Sequence, residues 1–156
     1  MKKISVKVIK EDSVSLPIYM TDGSAGMDVH AYLKEDIIIK PFERVLVPTG
    51  LKVEIPLGYE IQVRPRSGLA IKHGITLVNS PGTIDSDFRG EIKIIMINLG
   101  NEEFIIKNNE RIGQFVLNKV YKVDWNEVTE LNDTDRGHGG FGHTGVNNDN
   151  DNETKE

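Results

Sequence analysis

Leu51-Lys52-Val53-Glu54-Ile55-Pro56-Leu57-Gly58-Tyr59-Glu60-Ile61-Gln62-Val63-Arg64 is the stretch that decides the architecture. Leu51, Val53 and Ile55 alternate with Lys52 and Glu54; Ile61 and Val63 alternate with Glu60, Gln62 and Arg64. Successive side chains on a strand point to opposite faces, so a period of two marks a sheet with one buried face. Pro56-Leu57-Gly58 interrupts the alternation with the residue types of a turn.

The same reading extends outward. Ile92-Lys93-Ile94-Ile95-Met96-Ile97 is apolar on nearly both faces, the mark of a central strand. Further strands are expected at Ile4–Ile9, Met27–Leu33, Ile37–Lys40, Arg44–Val47, Thr76–Val78, Glu103–Ile106 and Arg111–Val123. Thr49-Gly50, Ser80-Pro81-Gly82 and Leu99-Gly100-Asn101 punctuate them as turns. Many short strands at this spacing imply a β-sandwich, jelly roll or barrel rather than βαβ units. One short helix is expected over Ser67–His73, with Ser67 capping its first turn. No internal repeat or second domain is visible.

The chain has 156 residues and a net charge of −5, which argues against non-specific binding to nucleic acid, since that needs a surplus of Lys and Arg. A single nucleotide remains admissible as a ligand. The absence of cysteine excludes disulfides, zinc-thiolate sites and thiol nucleophiles, and fits a reducing cytosol. Neither a signal peptide nor an apolar run long enough to span a bilayer is present, so a cytoplasmic protein without membrane association is expected. From Asn132 onward apolar residues thin out. Arg136 through Gly145 carries five glycines around Phe141, and the last ten residues are polar and acidic. The expected organisation is a β domain over 1–131, a flexible glycine-rich arm over 132–146 and a disordered tail over 147–156.

Four segments hold residues suited to chemistry. In Arg64-Pro65-Arg66-Ser67-Gly68-Leu69-Ala70, guanidinium, hydroxyl and the amides opening a helix would suit phosphate. A solvated surface turn would explain the same residues. Asn79-Ser80-Pro81-Gly82-Thr83-Ile84-Asp85-Ser86-Asp87-Phe88-Arg89-Gly90-Glu91 reads as a hairpin with carboxylates near its tip, one of which could serve as general base. Asn79 offers a donor and an acceptor for an amide or imide edge. An acidic turn bonding its own amides is the alternative. In the glycine-rich arm, Phe141 could stack on a base, or the arm could be a plain linker. Ser24-Ala25-Gly26-Met27-Asp28-Val29 contributes one carboxylate after a small-residue turn.

Taken together and in order, these segments resemble the five motifs of the trimeric dUTP pyrophosphatase (dUTPase) family. The first is Ala25-Gly26-Met27-Asp28-Val29, the second Arg66-Ser67-Gly68-Leu69-Ala70, and the third Gly82 through Glu91. Glu110-Arg111-Ile112-Gly113-Gln114-Phe115-Val116 resembles the fourth and Arg136 through Gly145 the fifth. They run from about residue 24 to residue 145, nearly the whole chain.

The resemblance implies an all-β, jelly-roll-like distorted β-barrel of the dUTPase type, a single domain with a flexible glycine-rich C-terminal arm. It further implies a homotrimer with shared active sites, each completed by a neighbour's arm. The implied reaction is hydrolysis of dUTP to dUMP and pyrophosphate, which keeps uracil out of DNA and supplies dUMP for dTMP synthesis. By the resemblance, Asp85 activates the water that attacks the α-phosphorus, and Ser67 lies near the α–β bridging oxygen. Arg66, Ser67, Gly68 and Gln114 hold the phosphates. Asn79, with the backbone of Thr83 and Ile84, reads uracil, and Phe88 packs on the deoxyribose. Lys93 is a further substrate contact, Arg136 grips the γ-phosphate, and Phe141 with Gly142 covers the base. Mg2+ would be held mainly by the triphosphate and water, with Asp28 as an outer-shell partner.

Three positions depart from the family pattern: Phe88 for the more usual tyrosine, His143 for a serine and Gly113 for an alanine. The first forgoes a hydroxyl's hydrogen bond; the second, if protonated against a phosphate oxygen, would introduce pH sensitivity below neutrality, and otherwise points into solvent; the third should loosen packing slightly. Three rivals are a dCTP deaminase on the same fold, a nucleotide-sensing regulator, and a jelly roll that binds no nucleotide. Asp85, the phosphate residues and Phe141 favour hydrolysis.

Overall fold

Leu51–Glu54 and Tyr59–Arg64 are both strands, and they pair with different neighbours. In the computed structural model, which describes residues 3–142, the strands are β1 (Lys7–Lys10), β2 (Met27–His30), β3 (Ile37–Ile39), β4 (Arg44–Pro48), β5 (Leu51–Glu54), β6 (Tyr59–Arg64), β7 (Ile75–Leu77), β8 (Gly82–Ile84), β9 (Lys93–Asn98), β10 (Phe104–Ile106) and β11 (Arg111–Lys119). A single helix, α1 (Ser67–His73), lies between β6 and β7. All pairings are antiparallel. They form a four-stranded sheet β2-β11-β6-β8, a three-stranded sheet β4-β9-β7, and the two-stranded sheets β1-β5 and β3-β10. The expected all-β architecture is the one found. By contacts the chain divides after Lys122 into the β body and a C-terminal unit starting at Val123.

The alternation explains the core. In the four-stranded sheet, Val29, Phe115, Val63, Ile61 and Ile84 turn inward. From the three-stranded sheet, Ile94, Met96, Val47, Ile75 and Leu77 join the same cluster. Each such side chain contributes roughly 1.5–3 kcal/mol by leaving water. Asn98 is fully buried, yet its amide is satisfied: Nδ2 donates to the carbonyls of Ile39 (2.9 Å) and Glu102 (2.7 Å), and Oδ1 accepts from the Gly100 N–H (2.8 Å). That side chain bolts β9 to β3 and to the following turn.

Helix α1 has the expected bounds, but its cap differs. Arg66, extended at φ −95° and ψ 126° after Pro65, is the N-cap, so Ser67 is already helical and makes no capping bond. Gly74 ends the helix in the left-handed region (φ 67°) and donates to Ala70 O. A Cβ there would stand 2.5 Å from the Gly100 nitrogen, so the position requires glycine on two counts.

Two further expectations are corrected. The Asn79–Glu91 segment is not a hairpin: β8 pairs with β6 and β9 with β4 and β7, so residues 85–92 cross from one sheet to the other. Strand β11 ends at Lys119 rather than Val123 because its partner β6 runs out at Tyr59. Gly113, expected to loosen packing, instead fills its space: an added Cβ would lie 3.3 Å from both Arg64 O and Ile94 Cδ1.

Candidate active site

The outer face of the four-stranded sheet carries Asp28 on β2 and Gln114 on β11 as direct partners. Strand β11 is bulged against β2 between Arg111 and Gly113, so Arg111 lies opposite His30 while Gln114 lies opposite Asp28. Residues 111 and 114 are an odd number apart and would face opposite sides of a regular strand. The extra residue of the bulge brings both onto the Asp28 face.

Asp28 is nearly buried, and two hydrogen bonds and a further ion pair converge on it. Gln114 Nε2 donates to Oδ1 at 3.2 Å and Arg111 Nη1 to Oδ2 at 3.1 Å, while Arg66 Nε stands 3.5 Å from Oδ1. Arg66 also donates from Nη1 to the Arg111 carbonyl at 3.2 Å. One of the five N–H donors of that guanidinium is thus engaged, and the others are open to Asp28 and to a ligand. Ser67 and Gly68 follow at the exposed start of α1. A cleft of about 430 Å³ opens beside the arginines, lined also by His30, His73, Phe104 and Glu110. Three of the residues expected around phosphate and metal, Asp28, Arg66 and Gln114, are thus brought together. Arg111, not singled out from sequence, completes them.

A second group surrounds β8. Gly82 is buried against Asn79, whose Nδ2 would be 3.1 Å from a Cβ at that position, so the glycine lets the amide lie close to the strand. Thr83 is exposed, whereas Ile84 turns into the core and offers a ligand only its backbone. Asp85 follows, exposed, with its carbonyl accepting from the Phe88 N–H at 3.2 Å. Arg89 Nη1 donates to the carbonyls of Ser86 (2.7 Å) and Phe88 (2.9 Å), bracing the loop.

The two groups do not meet within one chain. Continuing the register Ile61↔Ile84 puts Asp85 beside Glu60, six residues before Arg66 on the same extended run. At about 3.3 Å per residue that separates Asp85 from Arg66 by roughly 20 Å. Lys93 lies elsewhere again, on the outer face of β9 opposite Pro48, with Nζ 3.7 Å from Glu91 Oε2. In the C-terminal unit, Arg136 Nε donates to Gly139 O at 2.8 Å. Phe141 is fully exposed and, like Gly142, has a positive φ. His143 and the tail lie outside the described residues.

Among the described residues no three His, Asp or Glu side chains cluster as a cation cage. Among the described residues Asp28 is the one carboxylate paired with both arginines, and two of its roughly four acceptor positions take hydrogen bonds, from Gln114 and Arg111. Nor is any described helix long and apolar enough to cross a membrane.

The dUTPase family model matches residues 12–145. The chain is 67% identical over 145 residues to the deoxyuridine 5'-triphosphate nucleotidohydrolase of Fusobacterium nucleatum subsp. nucleatum, covering 93% of this chain and 99% of that protein. It is 57% identical over 142 residues to the protein of the same name from Finegoldia magna, covering 91% and 99%. In fold it is similar to a dUTPase variant of Staphylococcus bacteriophage 80alpha, in a structure with dUpNHpp, at a TM-score of 0.81 and 22% identity, covering 91% of this chain and 99% of that one. With a family model spanning most of its length and relatives this similar, the chain belongs to the dUTPase family.

Proposed function

We propose that the protein hydrolyses dUTP to dUMP and pyrophosphate at sites shared between copies of the chain. Family membership makes it a dUTP diphosphatase. The observation that carries the finer reading is the convergence of Arg66 and Gln114 on Asp28, with the carboxylate of Asp85 about 20 Å away along β6. Neither half makes a complete site, and a second copy can supply what the first lacks.

In this reading Arg66, Ser67, Gly68 and Gln114 bind the phosphate chain. Asn79 and the backbone at Thr83 and Ile84 read uracil, and Phe88 lies against the deoxyribose. Asp85 takes a proton from water as its oxygen bonds to the α-phosphorus; the bond to the α–β bridging oxygen breaks and pyrophosphate departs. Lys93 is a further substrate contact, and Arg136, Phe141 and Gly142 complete the site from a neighbour's arm, which excludes bulk water as it closes. Mg2+, held by the triphosphate, would spread the developing charge, and the carboxylate of Asp28 would suit one of its waters. The reaction would lower dUTP, keeping uracil out of DNA, and supply dUMP for dTMP synthesis.

The outer face of the β4-β9-β7 sheet supports a homotrimer. Leu46 is 56% and Val78 51% exposed there, beside Ile95 and Ile97 on the same face. A contiguous apolar face of this kind marks a surface that another chain covers. The reading is tested by pyrophosphate release with Mg2+ from dUTP, dCTP, dTTP and UTP. Release from dUTP alone supports it. Ammonia from dCTP would instead indicate a deaminase, and silence on all four would leave a non-catalytic binder.

A further inference from the structure

Asp28 is surrounded by more positive charge than it needs. With Arg66 as its sole cationic partner, the pair would be neutral. A guanidinium matched by a carboxylate nearly out of water attracts a phosphate far less than a free one does. Arg111, on the second oxygen of Asp28 at 3.1 Å, leaves the three side chains with a net charge of +1. Its carbonyl also receives Arg66 Nη1. One residue thus supplies a countercharge and a backbone anchor, and the β11 bulge puts it on that face.

We propose that Arg111 is a positioning residue: its guanidinium carries the countercharge of Asp28, leaving the charge of Arg66 for the substrate's phosphates. It acts through Asp28 and Arg66 and does not itself contact the nucleotide. The inference rests on reading this cluster as the phosphate site.

The test is a double-mutant cycle on the full chain, reading dissociation constants for dUpNHpp and for deoxyuridine. Arg111→Gln should weaken dUpNHpp roughly tenfold or more while deoxyuridine binding stays within about twofold. Arg111→Lys, which keeps the charge, should recover most of the loss. The double variant Asp28→Asn/Arg111→Gln restores the net charge of +1 and, measured without Mg2+ so that no metal contact of Asp28 enters, should bind dUpNHpp at least about threefold more tightly than Arg111→Gln alone. A double variant as weak as Arg111→Gln alone would overturn the proposal, as would equal weakening of both ligands. Should Arg111→Gln not fold, comparison of Asp28→Asn with the double variant decides: a large further loss in the double overturns the proposal. Wild-type protein inactive on dUTP would undo the functional reading instead, so the two failures are distinct.

Discussion

The ring of Phe88 lies across Gly90 so closely that a Cβ on the glycine would stand 2.6 Å from Phe88 Cζ. Only an unsubstituted position seats the ring there. Gly90→Ala must displace the ring, which the proposed function sets against the deoxyribose. The expected outcome is a fall of about tenfold in kcat/KM for dUTP, a narrowed preference for dUTP over UTP, and an unchanged melting temperature. Steady-state kinetics on both nucleotides check this, and unaltered discrimination would separate Phe88 from sugar selection.

Asp85 is exposed and follows a strand fixed by its register with β6. Asp85→Asn removes a base without removing bulk. Turnover should drop by about 10²–10⁴ while dUpNHpp binding stays close to wild type. Isothermal titration beside a pyrophosphate assay reads both quantities, and loss of binding would contradict the role assigned to Asp85.

Asn98→Ala tests the buried amide that ties β9 to β3 and to the following turn. It strands the carbonyls of Ile39 and Glu102 and the N–H of Gly100. A loss of about 3 kcal/mol in unfolding free energy is expected from urea denaturation. A change below about 0.5 kcal/mol would show that water replaces the amide.

Truncation before Arg136 removes the proposed arm but no strand of the β body. The shortened protein should keep its melting temperature, bind deoxyuridine more weakly for want of Phe141 over the base, and lose most turnover. Full turnover would remove the arm from the mechanism.

Much of the fold was legible because alternation is local. Leu51–Glu54, Tyr59–Arg64 and the helix over Ser67–His73 follow from patterns within a few residues. Pairing is not local: nothing in residues 79–98 says that β8 joins β6 while β9 joins β4 and β7. The end of β11 was set by its partner, not by its own apolar run. Arg111 escaped notice because a bulge, not a residue type, turns it toward Asp28. A trace was present: Ile112, Phe115 and Leu117 all face the core, with a spacing of three and then two. That break in period is what a bulge leaves in a sequence.

The claim that no single chain holds a complete site is tested most directly by complementation. Asp85→Asn and Arg66→Ala chains, each inactive alone, are co-expressed and purified as mixed assemblies, and dUTP hydrolysis is measured. Sites that pair an intact Asp85 from one chain with an intact Arg66 from another should return roughly a quarter of the wild-type rate at equal mixing. Mixed assemblies as inactive as either parent would place both residues in one chain's site and contradict the account.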